Sequence, residues 1–99
     1  MYYVMFYRAD PDADAASFAR NIEVYPRHRA FVDEFAKRGQ IWMIGTFGDP
    51  MHQGAMGVFA TREAAEEFAT NDPFQLEGLI YQTDIWEWDP LKYPAPVES

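Results

Sequence analysis

His28 and Asp72 are the two side chains of this sequence best suited to move a proton. An unperturbed imidazole titrates at about 6.5, so it acts as base or acid near neutral pH. A carboxylate on its second nitrogen fixes the tautomer and raises its basicity. His28 keeps register with Val24, Phe31, Val32 and Phe35, the inward stripe of a helix. Asp72 precedes Pro73 and Phe74, between an alanine- and glutamate-rich stretch and Gly78, which puts a carboxylate at a helix break. Each residue also has a structural reading. A histidine on an apolar helix face can be a core residue donating to a backbone carbonyl, and Asp72 can be the N-cap of the helix that Pro73 opens. A carboxylate has two oxygens, so capping and orienting an imidazole are compatible.

The other candidates carry less chemistry. His52 sits in a Gly- and Pro-containing loop and reads as solvated, and Asp49-Pro50 reads as a turn. With two histidines and no cysteine, the sequence has no metal-ligand motif, no thiolate and no disulfide framework. Gly45-Thr46-Phe47-Gly48 follows a strand but lacks the spacing of a phosphate or dinucleotide loop, so no cofactor is expected. There is no Gly-x-Ser-x-Gly elbow, and Ser17 and Ser99 have no base near them in sequence. The aromatic surplus permits a small-molecule pocket walled by Tyr3, Tyr7, Trp42, Phe47 or Phe74, although most such rings are expected to fill the core and an interface.

The 99 residues suffice for one domain. A net charge of −8 argues against nucleic acid and against an anionic membrane surface. Residues 51–99 carry only Arg62 and Lys92 against nine acids, so an anionic ligand would look to Arg8, Arg27 or Arg29. The apolar run from Tyr2 to Tyr7 is too short for a signal-peptide core or a membrane span. A cytoplasmic protein is the expectation.

The segments that must position His28 and Asp72 can be read from the period of their apolar residues. Tyr2 to Tyr7 is a first strand, stopped by Asp10-Pro11-Asp12. Residues 12 to 23 are mixed, with room for a short helical turn. Pro26 suits the first turn of a longer helix that ends near Lys37-Arg38, with Gly39 as its left-handed stop. Ile41 to Ile44 is a second strand, 45–54 a loop, and Ala55 to Ala60 a third strand in which Gly57 allows close approach or a bulge. Thr61 caps a helix with an inner face of Ala64, Ala65, Phe68 and Ala69. A short helical piece follows from Pro73, and Leu79 to Trp88 is the fourth strand. The order is βαββαβ, an α+β, ferredoxin-like arrangement in which a four-stranded antiparallel sheet carries its helices on one face. Residues 1–88 form this domain and 89–99, with three prolines, an extended tail.

The strands are apolar on both faces, which a sheet covered on one side should not be. Tyr2, Val4 and Phe6 beside Trp42 or Met43 and Val58 would leave a large exposed patch. A second sheet must cover it, so a homodimer with sheets packed face to face is expected.

The chain resembles the YciI-like, or YCII-related domain, family over residues 1 to about 88. The resemblance is carried by the aromatic opening strand, Pro26-Arg27-His28 with Phe31, Arg38-Gly39-Gln40 before a strand ending at Gly45, and Asn71-Asp72-Pro73-Phe74 with Gly78-Leu79. It implies a ferredoxin-like fold dimerising into an α+β barrel, with an active site at His28 and Asp72. Some relatives are dehydrochlorinases of chlorinated aromatics, and the fold is similar to muconolactone isomerase. The family often has Arg where this chain has Tyr25, and Gly-Pro where it has Gly45-Thr46. Arg27 or Arg8 would then replace the missing cation, and Arg27, Arg8, Tyr25, Phe47 and Phe74 are expected to bind substrate. The tail, taken with Trp86, Trp88 and Tyr93, is expected to cover the partner's sheet edge.

These readings converge on a cofactor-independent homodimeric enzyme acting on a small aromatic or lactone-like metabolite by lyase, isomerase or dehydrochlorinase-type chemistry. A positioned base contributes about a hundred- to ten-thousandfold to such steps. The alternative is a non-catalytic module, a small-ligand binder or accessory dimer, with His28 in the core and Asp72 only a cap. A sealed histidine, or a wide gap between the two side chains, would favour that alternative.

Overall fold

The computed structural model describes residues 1–97; Glu98 and Ser99, the end of the expected tail, lie outside the described residues. The elements are β1 (Tyr2–Arg8), α1 (Ala15–Ala36), β2 (Ile41–Thr46), α2 (Pro50–Gln53), β3 (Ala55–Phe59), α3 (Arg62–Asn71), α4 (Pro73–Leu76) and β4 (Gln82–Trp88). They build an α+β fold around one four-stranded sheet in the order β2-β3-β1-β4, with every neighbouring pair antiparallel.

α1 departs from the sequence reading. It does not open at Pro26 but at Ala15, and Pro26 lies in its interior. Asp14 caps the true start, its carboxylate accepting the Ser17 amide at 2.9 Å and the Ser17 hydroxyl at 3.0 Å. An interior proline costs about 3 kcal/mol. That cost is offset by the cap and by Val24, which this first half of the helix delivers fully buried, each worth on the order of 1–3 kcal/mol. The other end is as expected: Gly39 has φ 72 just beyond the helix.

Three other boundaries move. β2 continues to Thr46, because Gly45 and Thr46 still pair with Met56 and Ala55. The expected 45–54 loop is therefore shorter and contains the single turn of α2. β4 begins at Gln82 rather than Leu79, since the Leu79 amide bonds back to the Phe74 carbonyl at 2.9 Å and so belongs to the exit from α4. The irregularity in β2 falls between Ile41 and Met43 rather than at Gly57, where Phe59 and Ile44 pack into the space a side chain would need.

Met5 and Tyr7 of β1, Phe59 of β3, Phe35 of α1 and Ala64, Ala65 and Phe68 of α3 form the core. The small residues of α3 let it lie close to the sheet, and Phe35 and Phe68 meet edge to face at 5.4 Å. The alternate residues of β1, Tyr2, Val4 and Phe6, lie against Trp88, Trp86 and Asp84 on β4, while Val4 and Phe6 face Val58 and Met56 on β3. Val4 and Val58 are buried, yet Trp42, Met43, Trp86 and Trp88 around them remain 41–54 % and, for Trp86, 57 % exposed. Trp86 and Trp88 thus belong to β4, not to the tail. From Asp89 to Val97 the chain has no helix or strand, and Lys92 hydrogen-bonds the Tyr2 hydroxyl at 2.5 Å. No helix among the described residues is long and apolar enough to cross a membrane.

Candidate active site

α3 ends at Asn71, and Asp72 leaves the helix with φ −61 and ψ 129. Pro73 favours that extended backbone in the residue before it and itself suits the first position of α4. The Asp72 carboxylate then accepts the Phe74 amide at 3.1 Å, the expected cap. Asp72 is also the only fully buried charged residue among the described residues. A buried carboxylate is tolerated only when its oxygens are satisfied. Two further donors achieve this: His28 Nδ1 lies 2.8 Å from Oδ1, and the Tyr7 hydroxyl donates to Oδ2 at 2.8 Å.

His28 comes from the inward stripe of α1, where Val24 and Phe35 are buried and Phe31 and Val32 pack on the core. A carboxylate only accepts, so the proton in this contact sits on Nδ1 and leaves the Nε2 lone pair available. Phe74 stacks on the imidazole, with ring centres 4.2 Å apart and planes 18° from parallel. The stack and the Nδ1 bond together restrict the ring. The His28 side chain is 15 % exposed. Among the described residues no buried side-chain nitrogen or oxygen lacks a hydrogen-bond partner, and Nε2 makes no such bond, so Nε2 is open to solvent. His28 belongs to the lining of a cleft of about 760 Å³.

The sequence profile of the YCII-related domain matches residues 1–89. The chain belongs to the YCII-related domain family. A solved structure similar to it is that of 5-chloro-2-hydroxyhydroquinone dehydrochlorinase from Burkholderia phenoliruptrix, in complex with 2,5-dihydroxybenzoquinone. The TM-score is 0.66 at 21% identity, over 90% of this chain and 94% of that one. No curated protein matches the sequence.

In this YCII-related protein the residues singled out by sequence are distributed unevenly. His28, Asp72 and Phe74 come together, and Tyr25 lies beside them on the cleft wall, its ring 6.0 Å from that of His28. Arg27 instead pairs with Glu77 at 3.1 Å, and Arg20 joins the same carboxylate. Arg8 pairs with Asp84 at 2.8 Å and stacks over Phe6, with one side on a smaller cavity next to the cleft. Arg29 lines the cleft but is paired with Asp33 at 3.1 Å. Phe47 lines neither cavity, and Trp42 stacks on Tyr2 at 5.2 Å on the open sheet face. His52 is 81 % exposed, with Asp49 as its partner at 2.7 Å. Among the described residues no group of three His, Cys, Asp or Glu side chains is placed to hold a metal ion.

Sequence reasoning named Tyr7 as a possible pocket wall and missed its hydroxyl as the third donor to Asp72. The signal lay in the strand period. Tyr7 shares the helix-facing side of β1 with Met5, and a tyrosine buried there needs a partner for its oxygen. Burial, reinforced by the adjacent Asp72 charge, holds the phenol well above the usual tyrosine range.

Proposed function

We propose that this protein is an enzyme of the lyase or isomerase type, acting without a cofactor on a small aromatic or lactone-like compound by proton transfer through His28. The observation that carries this reading is the asymmetry of the imidazole. Nδ1 is held by Asp72 at 2.8 Å, while Nε2 makes no hydrogen bond among the described residues and His28 lines a cleft. Nε2 takes a proton from the substrate, Asp72 stabilises the imidazolium so formed, and the electron pair left behind forms a new double bond. In an elimination that pair expels a leaving group with its own bonding electrons; in an isomerisation the imidazolium returns the proton to another atom. The same asymmetry favours catalysis over a ligand-binding or accessory module, for which a sealed histidine would be expected.

The cleft supports a flat, weakly charged substrate. Phe18, Ile22, Tyr25, Met51 and Phe74 give it apolar walls, while Asn21 and Thr46 offer polar contacts. Its one lining cation, Arg29, is neutralised by Asp33, and Arg27 is drawn off by Glu77. The similar dehydrochlorinase was solved with a quinone-type ring, which agrees with a substrate of that size and shape.

The assembly belongs to the same proposal. The strand order and antiparallel pairing support a ferredoxin-like βαββαβ domain over residues 1–88. The exposed Trp42, Met43, Trp86 and Trp88 support two such sheets packed face to face as a dimeric α+β barrel, with the 89–99 tail at the partner's sheet edge. A cysteine-free chain suits the cytoplasm.

The test is a panel of hydroxylated aromatics, quinones and lactones incubated with the protein in D₂O, read by loss of leaving group and by deuterium entering the substrate. His28→Gln is expected to lower the rate about a hundred- to ten-thousandfold with the fold intact. A folded His28→Gln variant as active as the parent protein would refute the acid/base role.

A further inference from the structure

The Asp72 carboxylate is shared, and the sharing has a direction. Oδ1 faces His28 Nδ1 and the Phe74 amide, whereas Oδ2 receives the Tyr7 hydroxyl at 2.8 Å in a fully buried setting. Every donor to a carboxylate withdraws charge from it. The Phe74 amide is part of a helix cap and is needed for the backbone. The phenol is not a requirement of the sheet, since at this position of β1 a Phe would fill the same place in the core.

Resting on the acid/base reading of the site, we infer that Tyr7 is a positioning residue that sets the basicity of His28 through Asp72. By holding Oδ2, Tyr7 weakens the pull of the carboxylate on the imidazolium. The phenol itself does not ionise in this role, because burial and the Asp72 charge both favour its neutral form. Gln75 of α4 stands near the phenol and donates its amide to Thr83 Oγ1 on β4 at 2.7 Å, tying this corner of the site to the sheet. The titratable groups facing His28 are few. Asp72 contacts it, Tyr7 acts one bond further from β1, and Tyr25, Arg29 and Asp33 of α1 line the same cleft. α4 brings Phe74 and Gln75, which carry no charge, and the lining residues from α2, β2 and β3 carry none.

The experiment is an NMR titration of the His28 ring protons, assigned against His28→Gln to separate them from His52, in the parent protein, Tyr7→Phe and Asp72→Asn. Tyr7→Phe frees Oδ2 and is expected to raise the His28 pKa by about half a unit or more, and Asp72→Asn to lower it. A purely structural Tyr7 would leave the titration where it was. An unchanged or lowered His28 pKa in a Tyr7→Phe variant with native amide shifts overturns the inference. Should Tyr7→Phe not fold, 3,5-difluorotyrosine placed at position 7 is a stronger donor and must lower the His28 pKa; no change there overturns it equally. The titration needs no turnover. A shifted His28 without activity on any substrate would leave this inference standing and count against the enzyme reading, whereas an unmoved His28 in an active protein would do the reverse.

Discussion

His28 Nδ1 and Asp72 Oδ1 lie 2.8 Å apart although 44 positions separate them in the chain. The contact joins the long helix α1 to the junction of α3 and α4, where Asp72 also caps Phe74. One buried carboxylate therefore serves both the backbone and the imidazole, and the two duties separate under substitution.

Asp72→Asn retains an oxygen that can cap the Phe74 amide but loses the charge that holds His28. Asp72→Ala loses both, leaving the Phe74 amide and the Tyr7 hydroxyl without acceptors, at a cost of about 3 kcal/mol or more. Urea unfolding should rank Ala well below Asn in stability, while activity falls in both. Equal stability losses would show that the cap is not what Asp72 contributes to the fold.

Alkaline pH should weaken the fold through Tyr7. The folded-state pKa is raised above the unfolded value of 10.0, so the unfolded chain releases this proton first. The corresponding stability is fully present below pH 10 and is lost above it at about 1.4 kcal/mol per pH unit for one proton. Denaturant unfolding between about pH 9 and 11 should fall more steeply for the parent than for Tyr7→Phe, which has no proton to lose there. Parallel pH dependences would mean that Tyr7 is not buried as described.

The proposed dimer depends on a sheet face to which the edge strand β4 contributes Trp86, opposite Val4. Trp86→Lys should weaken association by on the order of 2 kcal/mol, roughly thirtyfold in Kd. Sedimentation at micromolar concentration reads this directly. A parent protein that is monomeric there would remove the sheet-to-sheet interface altogether.

Gly54 lines the smaller cavity beside the cleft. It has φ 79, and a Cβ there would meet the Tyr7 carbonyl oxygen at 2.0 Å. Gly54→Ala is expected to cost on the order of 3 kcal/mol and to displace the segment carrying Met51. Thermal melting together with amide shifts of residues 50–55 checks both; an unperturbed variant would require a different path for this loop.

Much of the fold was legible because local period and end signals agree. Short apolar runs bounded by turn residues marked the four strands, Thr61 and Gly39 marked helix ends, and Ala64, Ala65 and Phe68 marked the face of α3. Where signals competed, the reading slipped. Pro26 looked like a helix start because its missing N–H suits a first turn, yet Asp14 and buried Val24 extend α1 past it. Leu79 and Ile80 looked like strand because they are apolar, but the Leu79 amide is already committed to Phe74. Arg27 and Arg8 looked free because sequence does not reveal that Glu77 and Asp84 meet them.

The sequence by itself determined which segments are strands and helices, which residues carry titratable chemistry, and that the apolar surface exceeds what one sheet covered on one side can hide. These follow from side-chain type and from periods of two or 3.6 residues, both local. Only the tertiary structure decided that Tyr7, His28 and Asp72 share one buried hydrogen-bonded group while the arginines are spent on other carboxylates. Contacts between residues tens of positions apart are set by how β1, α1 and the α3–α4 junction pack, and the desolvation of Asp72 makes its three donors obligatory.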